Sequence, residues 1–368
     1  MRFSSVDLLR TVALFVMVFV HFGENLSGYT VPFAGFGAPL FALLSGLSYY
    51  LWVNGQRARG VDEETISKIS VRRGFFVFCV GIAFNILVWL PEDTFNWDVL
   101  TLIGVALLLL NQVRRLPRIV PTTVAAMSIL VSPVLRHLAD YNSYWQNGYF
   151  DPDLNLSDVT IGFLSTGYFP IFPWITFSLV GFVTASYVFP SSQFRSKDSE
   201  TTALPSVTPI LGAGALLLIF SLLALVTRSQ MPAALGERFF TGWTMFPPST
   251  EYVLGTLGMA LIAFATLHML VDRNPRVPND AAVLTIAKTF SRYSFTIYIL
   301  HHIVHVWPLW IYAVYRGQET TYYWKQAMPL AASLTLAACF MAVLLFLLRW
   351  AGPDRRIGVE SWMRWLCD

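Results

Sequence analysis

Long apolar stretches alternate with short polar connections along the whole chain. Ten stretches stand out, at residues 8–27, 33–54, 74–90, 97–112, 118–136, 168–188, 207–227, 251–271, 290–313 and 327–349. An α-helix needs about 20 apolar residues to cross a hydrocarbon layer roughly 30 Å thick. Inside that layer every backbone polar group must be satisfied within the chain, which a helix does. The pattern predicts an all-α fold, a polytopic membrane helix bundle with about ten transmembrane helices. Arg2 followed by an apolar run has the outline of a secretory signal. Asp7 and Arg10 interrupt that run and no A-x-A site follows, so a retained first helix is expected.

Composition removes the alternatives to a membrane protein. Of the 368 residues, 55% are hydrophobic and 13% are charged, whereas soluble domains carry about 25% charged residues. A mean hydropathy of +0.56 leaves no room for a large soluble domain. Orientation follows from the basic residues. With the N-terminus in the cytoplasm, the outer side holds Arg136, Arg228, Arg238, Arg316 and Lys325, and the other twenty of the 25 basic residues lie inside. Both termini are therefore expected in the cytoplasm, and the cell membrane is the expected location. The chain reads as a single domain, 1–368, with halves 1–189 and 207–368 joined by a Ser- and Thr-rich cytoplasmic linker at 190–206. No internal repeat is evident. Cys79, Cys339 and Cys367 are widely separated and form neither a metal spacing nor a disulfide framework. Two outer segments are long, 137–167 with Asp140, Trp145, Asp151, Asp153 and Asp158, and 228–250 with Trp243; segments of this length are either lids or inert solvated loops.

The ionisable residues within the spans carry the candidate chemistry. Arg10 and His21 are eleven steps apart, roughly 20° around a helix, and Asp7 lies on the same face, fourteen steps from His21. The rise from Arg10 to His21 is roughly 16 Å, so this stripe leads from the cytoplasmic surface to the outer half of the membrane. Glu24 extends it by a turn. Ionisable groups at that depth mark a site or a pathway; the plainer readings are an interfacial anchor pair for Asp7 and Arg10 and a structural histidine for His21. Arg72 and Arg73 are either a stop-transfer pair or a cradle for an anionic cofactor, which the planar guanidinium fork suits. His301, His302 and His305 share a helix face at spacings of three and four. Such a pair can bind a metal, but no carboxylate or thiol adjoins it, so no metal is expected; packing and cavity lining are the remaining readings. The small-residue run from Phe33 to Phe41, followed by Ser45-Gly46, predicts close helix approach. Glu251 and Asp98 stand at outer helix ends.

These segments resemble a known family. Val6-Asp7-Leu8-Leu9-Arg10 running to Met17-Val18-Phe19-Val20-His21-Phe22 is similar to the first helix of transmembrane acyltransferases. In the sugar O-acyltransferases of acyltransferase family three, a basic residue, ten residues and a His are the hallmark, and that His is held to be essential. Phe41-Ala42-Leu43-Leu44-Ser45-Gly46, Arg72-Arg73-Gly74 and Asp98-Val99-Leu100 resemble the heparan-α-glucosaminide N-acetyltransferase-like group. So do Tyr168-Phe169-Pro170-Ile171-Phe172-Pro173-Trp174, Phe246-Pro247-Pro248-Ser249, and Phe290-Ser291-Arg292-Tyr293-Ser294 leading to Tyr298-Ile299-Leu300-His301. In the animal enzyme of that group the catalytic His follows the first helix. Residues 22–32 here contain no His, so the role passes to His21 on the family-three pattern.

The resemblance implies transfer of an acetyl or other short acyl group from cytoplasmic acyl-CoA to a sugar or lipid-linked acceptor at the outer side. It implies catalytic roles for His21, Arg10 and Asp7, with His21 as base or as acyl carrier. Arg72, Arg73, Ser45 and Arg292 would bind the acyl-CoA, and Glu24, Trp174, Glu251, His301 and His302 the acceptor. The expected partners are acyl-CoA, a carbohydrate or lipid-linked acceptor and the bilayer. No nucleic acid is expected, and a homo-oligomer is left open. A transporter or flippase using the same polar path is the alternative reading.

Overall fold

The computed structural model describes residues 2–89, 94–145, 155–190, 205–278, 280–352 and 357–368. Asp151, Asp153 and most of the 190–206 linker lie outside the described residues. The principal helices are α1 (Ser4–Ser27), α2 (Gly37–Ala58), α3 (Glu63–Val88), α4 (Val99–Val113), α5 (Ile119–Leu138), α6 (Ile171–Val188), α7 (Thr208–Thr227), α8 (Thr250–Leu267), α9 (Ala282–Arg292), α10 (Ser294–Tyr315), α11 (Leu330–Ala351) and α12 (Val359–Cys367). The protein is an all-helical, multi-pass integral membrane protein. Among the described residues eight helices are long and apolar enough to cross a membrane, and each overlaps one of the stretches read from the sequence. The remaining two stretches, 33–54 and 97–112, also form helices, α2 and the 15-residue α4.

Helix starts follow local chemistry. The Asp62, Asp98 and Ser249 side chains accept the Thr65, Leu100 and Tyr252 backbone N–H groups at the first turns of α3, α4 and α8, satisfying donors that a helix start leaves without a partner. The Thr65 N–H also holds the Asp62 carboxyl below its ordinary value.

The helices form two compact units. One contains Pro39–Leu270, hence most of α2 and all of α3–α8. It is tightened by facing glycines. A Cβ on Gly46 of α2 would overlap the Ser178 carbonyl of α6, and one on Gly181 of α6 would overlap the Leu43 carbonyl of α2. Gly74 and Gly104 bring α3 and α4 together in the same way, as Gly214 and Gly258 do for α7 and α8. Lipid tails are as apolar as leucine, so these helices associate through close contact and hydrogen bonds rather than through the hydrophobic effect. Ser45 adds to the α2–α6 contact: its Oγ is 3.0 Å from Ser178 Oγ, and Ser178 Oγ donates to Ala42 O at 3.0 Å.

The second unit joins Phe3–Ala38 to Val271–Leu366. Here α1 packs on α9, α10 and α11. Gly28 ends α1 in the left-handed region, φ 70°, and its N–H caps Glu24 O. A Cβ there would lie 2.7 Å from Lys325 O, so both conformation and space call for glycine. Lys325 N donates to Asn25 O and Met328 N to Leu26 O, fastening the segment before α11 onto the end of α1.

Gly46→Ala is expected to destabilise the protein by about 1–3 kcal/mol or more through overpacking. Gly55→Ala, with nothing within 4 Å of the new Cβ, should leave stability unchanged or raise it. Thermal unfolding in detergent checks both.

Candidate functional site: a histidine cluster on the first helix

The sequence stripe on α1 meets the histidines of α10 within the second unit. His21 Nδ1 is 2.9 Å from His301 Nε2. The His21 ring lies 5.2 Å from that of His301 and 4.5 Å from that of His302, centroid to centroid. His301 and His302 are 4.0 Å apart, and Tyr298 packs against both. His301, His302 and His305 are buried, and His21 is half-buried. His21, His301 and His302 each offer one ring nitrogen, and the three atoms lie within 4.8 Å of one another.

Hydrogen bonding fixes the tautomers. His301 Nδ1 is 3.2 Å from Ile297 O. A carbonyl only accepts, so His301 carries its proton on Nδ1 and its Nε2 accepts. The partner of that Nε2 must donate, which places the His21 proton on Nδ1. His21 Nε2 is left holding a basic lone pair.

A second chain of bonds supports the first. Trp324 Nε1 donates to Asn25 Oδ1 at 3.1 Å, which turns the Asn25 amide nitrogen toward His305 Nε2 at 2.9 Å. His305 Nδ1 in turn donates to His301 O. For His305 the sequence leaves packing and cavity lining open, and it does not single out Asn25. An asparagine inside an apolar span was the available signal, since buried amides in a membrane need built partners.

The other expected site residues stand apart from the cluster. Arg10 is eleven residues, or roughly 16 Å, from His21 along α1, and its Nη1 donates to Ser291 Oγ of α9 at 2.9 Å. Asp7 is buried beside it; the Asp7 carbonyl accepts from Thr11 Oγ1, which also reaches Ala287 O. Ser5 Oγ donates to Asp272 Oδ2 at 2.5 Å. This end of α1 is thus a docking seam with α9. Arg292 lies over the Tyr293 ring. Glu24 is half-buried one turn beyond His21.

The remaining candidates belong to the first unit. Arg72 is exposed and lines an open cavity of about 260 Å³ with Ser67, Lys68 and Val71. The Arg73 guanidinium sits 4.6 Å from the centre of the Trp52 ring. Neighbouring basic groups are already engaged: Arg57, Arg114 and Arg115 converge on Glu63, and Lys68 pairs with Glu64. Trp174 is fully buried among Phe169, Phe177 and Tyr252. Glu251 is also buried, and its Oε1 accepts from Gly242 N at 2.9 Å. Among the described residues Trp174 Nε1 and Glu251 Oε2 have no hydrogen-bond partner.

The Asn25 network makes a stability prediction. Asn25→Leu strips the amide partner from the buried His305 Nε2 and should cost about 1–3 kcal/mol. Adding His305→Leu should restore part of that loss, a coupling that a double-mutant cycle of unfolding free energies reads directly.

No curated protein matches the chain in a sequence comparison. A family model does match, described as heparan-alpha-glucosaminide N-acetyltransferase, catalytic, over residues 2–223. The match takes in His21, Asn25, Ser45, Arg72, Arg73 and Trp174; His301, His302 and His305 lie beyond it. It covers more than half of the chain and begins on the helix that carries the cluster, so the protein belongs to the heparan-alpha-glucosaminide N-acetyltransferase catalytic family.

Proposed function

We propose that the protein moves an acetyl or other short acyl group from acyl-CoA to a sugar or lipid-linked hydroxyl or amine, with His21 as the general base. The observation that carries this reading is the tautomer chain from Ile297 O through His301 to His21. An imidazole whose Nδ1–H is held in a hydrogen bond presents Nε2 as a fixed acceptor, placed to take a proton in general-base catalysis.

In the proposed reaction the acceptor's O–H or N–H proton passes to His21 Nε2 as its oxygen or nitrogen attacks the thioester carbonyl. The tetrahedral adduct then collapses, the C–S bond breaks, and the departing thiolate takes the proton back from Nε2. While His21 is protonated, His301 Nε2 accepts from its Nδ1–H and stabilises the imidazolium. Glu24, half-buried one turn away, is assigned to the acceptor. The exposed Arg72 beside its cavity is assigned to the donor's phosphates, where a guanidinium binds two oxygens at once. Asp7 and Arg10 support α1 through its seam with α9 and do not touch the reacting atoms. The family match supports the acetyl group as the one transferred.

Replacing His21 by alanine should lower acyl transfer from acyl-CoA by at least about 10²-fold, while the purified protein keeps the elution and melting behaviour of the native chain. Retention of the full rate by His21→Ala would remove His21 from the chemistry. Failure of the wild-type protein to use any acyl-CoA would remove the donor class.

A further inference from the structure

We infer that His21, His301 and His302 form a binding site for one divalent ion of the zinc class. Their three ligand atoms come from two helices and lie within 4.8 Å of one another. A tetrahedral ion with bonds of about 2.0–2.1 Å holds two ligand nitrogens roughly 3.3 Å apart. His21 Nδ1 and His301 Nε2, at 2.9 Å, already stand close to that spacing. One nitrogen of His302 then has to approach, a change that side-chain rotation supplies.

The surroundings match what a histidine ligand requires. A ligating imidazole usually donates its other N–H to a carbonyl or carboxylate, which fixes ring and tautomer. His301 Nδ1 has that bond, to Ile297 O at 3.2 Å, and its Nε2 faces the cluster. His301 and His302 are buried, whereas His21 is half-buried. Three imidazoles with a fourth open position are the donor set of catalytic His₃ zinc sites. A purely nitrogen donor set selects zinc, copper, nickel or iron over magnesium and calcium, which take oxygen ligands.

Binding at His21 Nδ1 moves the neutral ring's proton from Nδ1 to Nε2. The lone pair on Nε2 is then gone, and the ion-loaded protein should not transfer acyl groups. That corollary rests on the reading of His21 as the base; the existence of the site does not.

The test uses full-length, tag-free protein in detergent, stripped with a chelator and titrated with Zn²⁺ and with Co²⁺. One ion per chain is expected, with affinity falling at least about tenfold in His302→Ala and unchanged in His137→Ala, an exposed histidine at the end of α5. X-ray absorption at the zinc edge of the loaded wild-type protein gives a readout that needs no variant to fold, and a shell rich in imidazole nitrogen is expected. Equal binding by wild type and His302→Ala, or a shell without imidazole, overturns the site. If the ion binds as described and acyl transfer continues unimpeded, the site stands and the role of His21 Nε2 as base falls.

Discussion

The bond from His301 Nδ1 to Ile297 O sets the chemistry of the first helix. In a hydrocarbon environment a buried imidazole cannot trade partners with water, so a carbonyl acceptor dictates where its proton resides. That choice passes across the helix interface to His21, whose Nε2 keeps its lone pair. Several contacts in the second unit hold the two helices that carry this pair. The Arg10–Ser291 and Ser5–Asp272 bonds hold one end of α1, while Gly28, Lys325 and Met328 hold the other. The Trp324–Asn25–His305 chain fixes the neighbouring turn of α10.

The first unit solves a different problem. Its helices gain little from apolar contact in lipid, so backbone meets backbone at Gly46 with Ser178 and at Gly181 with Leu43. Hydroxyl groups such as Ser45 and Ser178 bridge what remains. Toward the end rich in Arg and Lys, Glu63 gathers three arginines and thereby satisfies Arg114, whose side chain is almost wholly buried. Arg72, by contrast, keeps its guanidinium at the surface of an open cavity. One cluster of basic residues therefore contains both a structural hub and a group suited to anions.

Much of this was legible in the sequence. Apolar length gave the helices, and helical arithmetic aligned Arg10 with His21 on one face of α1. Ser45-Gly46 announced tight packing, which α2 and α6 display. Helix periodicity relates residues on one helix only, however, so it could not say that His21 faces His301 and His302. For the same reason the sequence, which shows His301, His302 and His305 with no carboxylate or thiol beside them, cannot show that His21 joins them. Asn25 carries no charge, so its place in the network is not visible in the sequence, and the burial of Trp174 and Glu251 cannot be read from residue type. Asp7 and Arg10 shared a face with His21, but a shared face says nothing about distance along the axis, and the two sit at a docking seam.

The tautomer of His21 is the claim on which the account turns. Nitrogen-15 NMR of histidine-labelled, chelator-treated protein in lipid, with His21 assigned through a His21→Gln sample, measures it directly. A neutral ring protonated on Nδ1 with Nε2 unprotonated is expected, and the same for His301. A His21 ring protonated on Nε2, in metal-free protein, would contradict it.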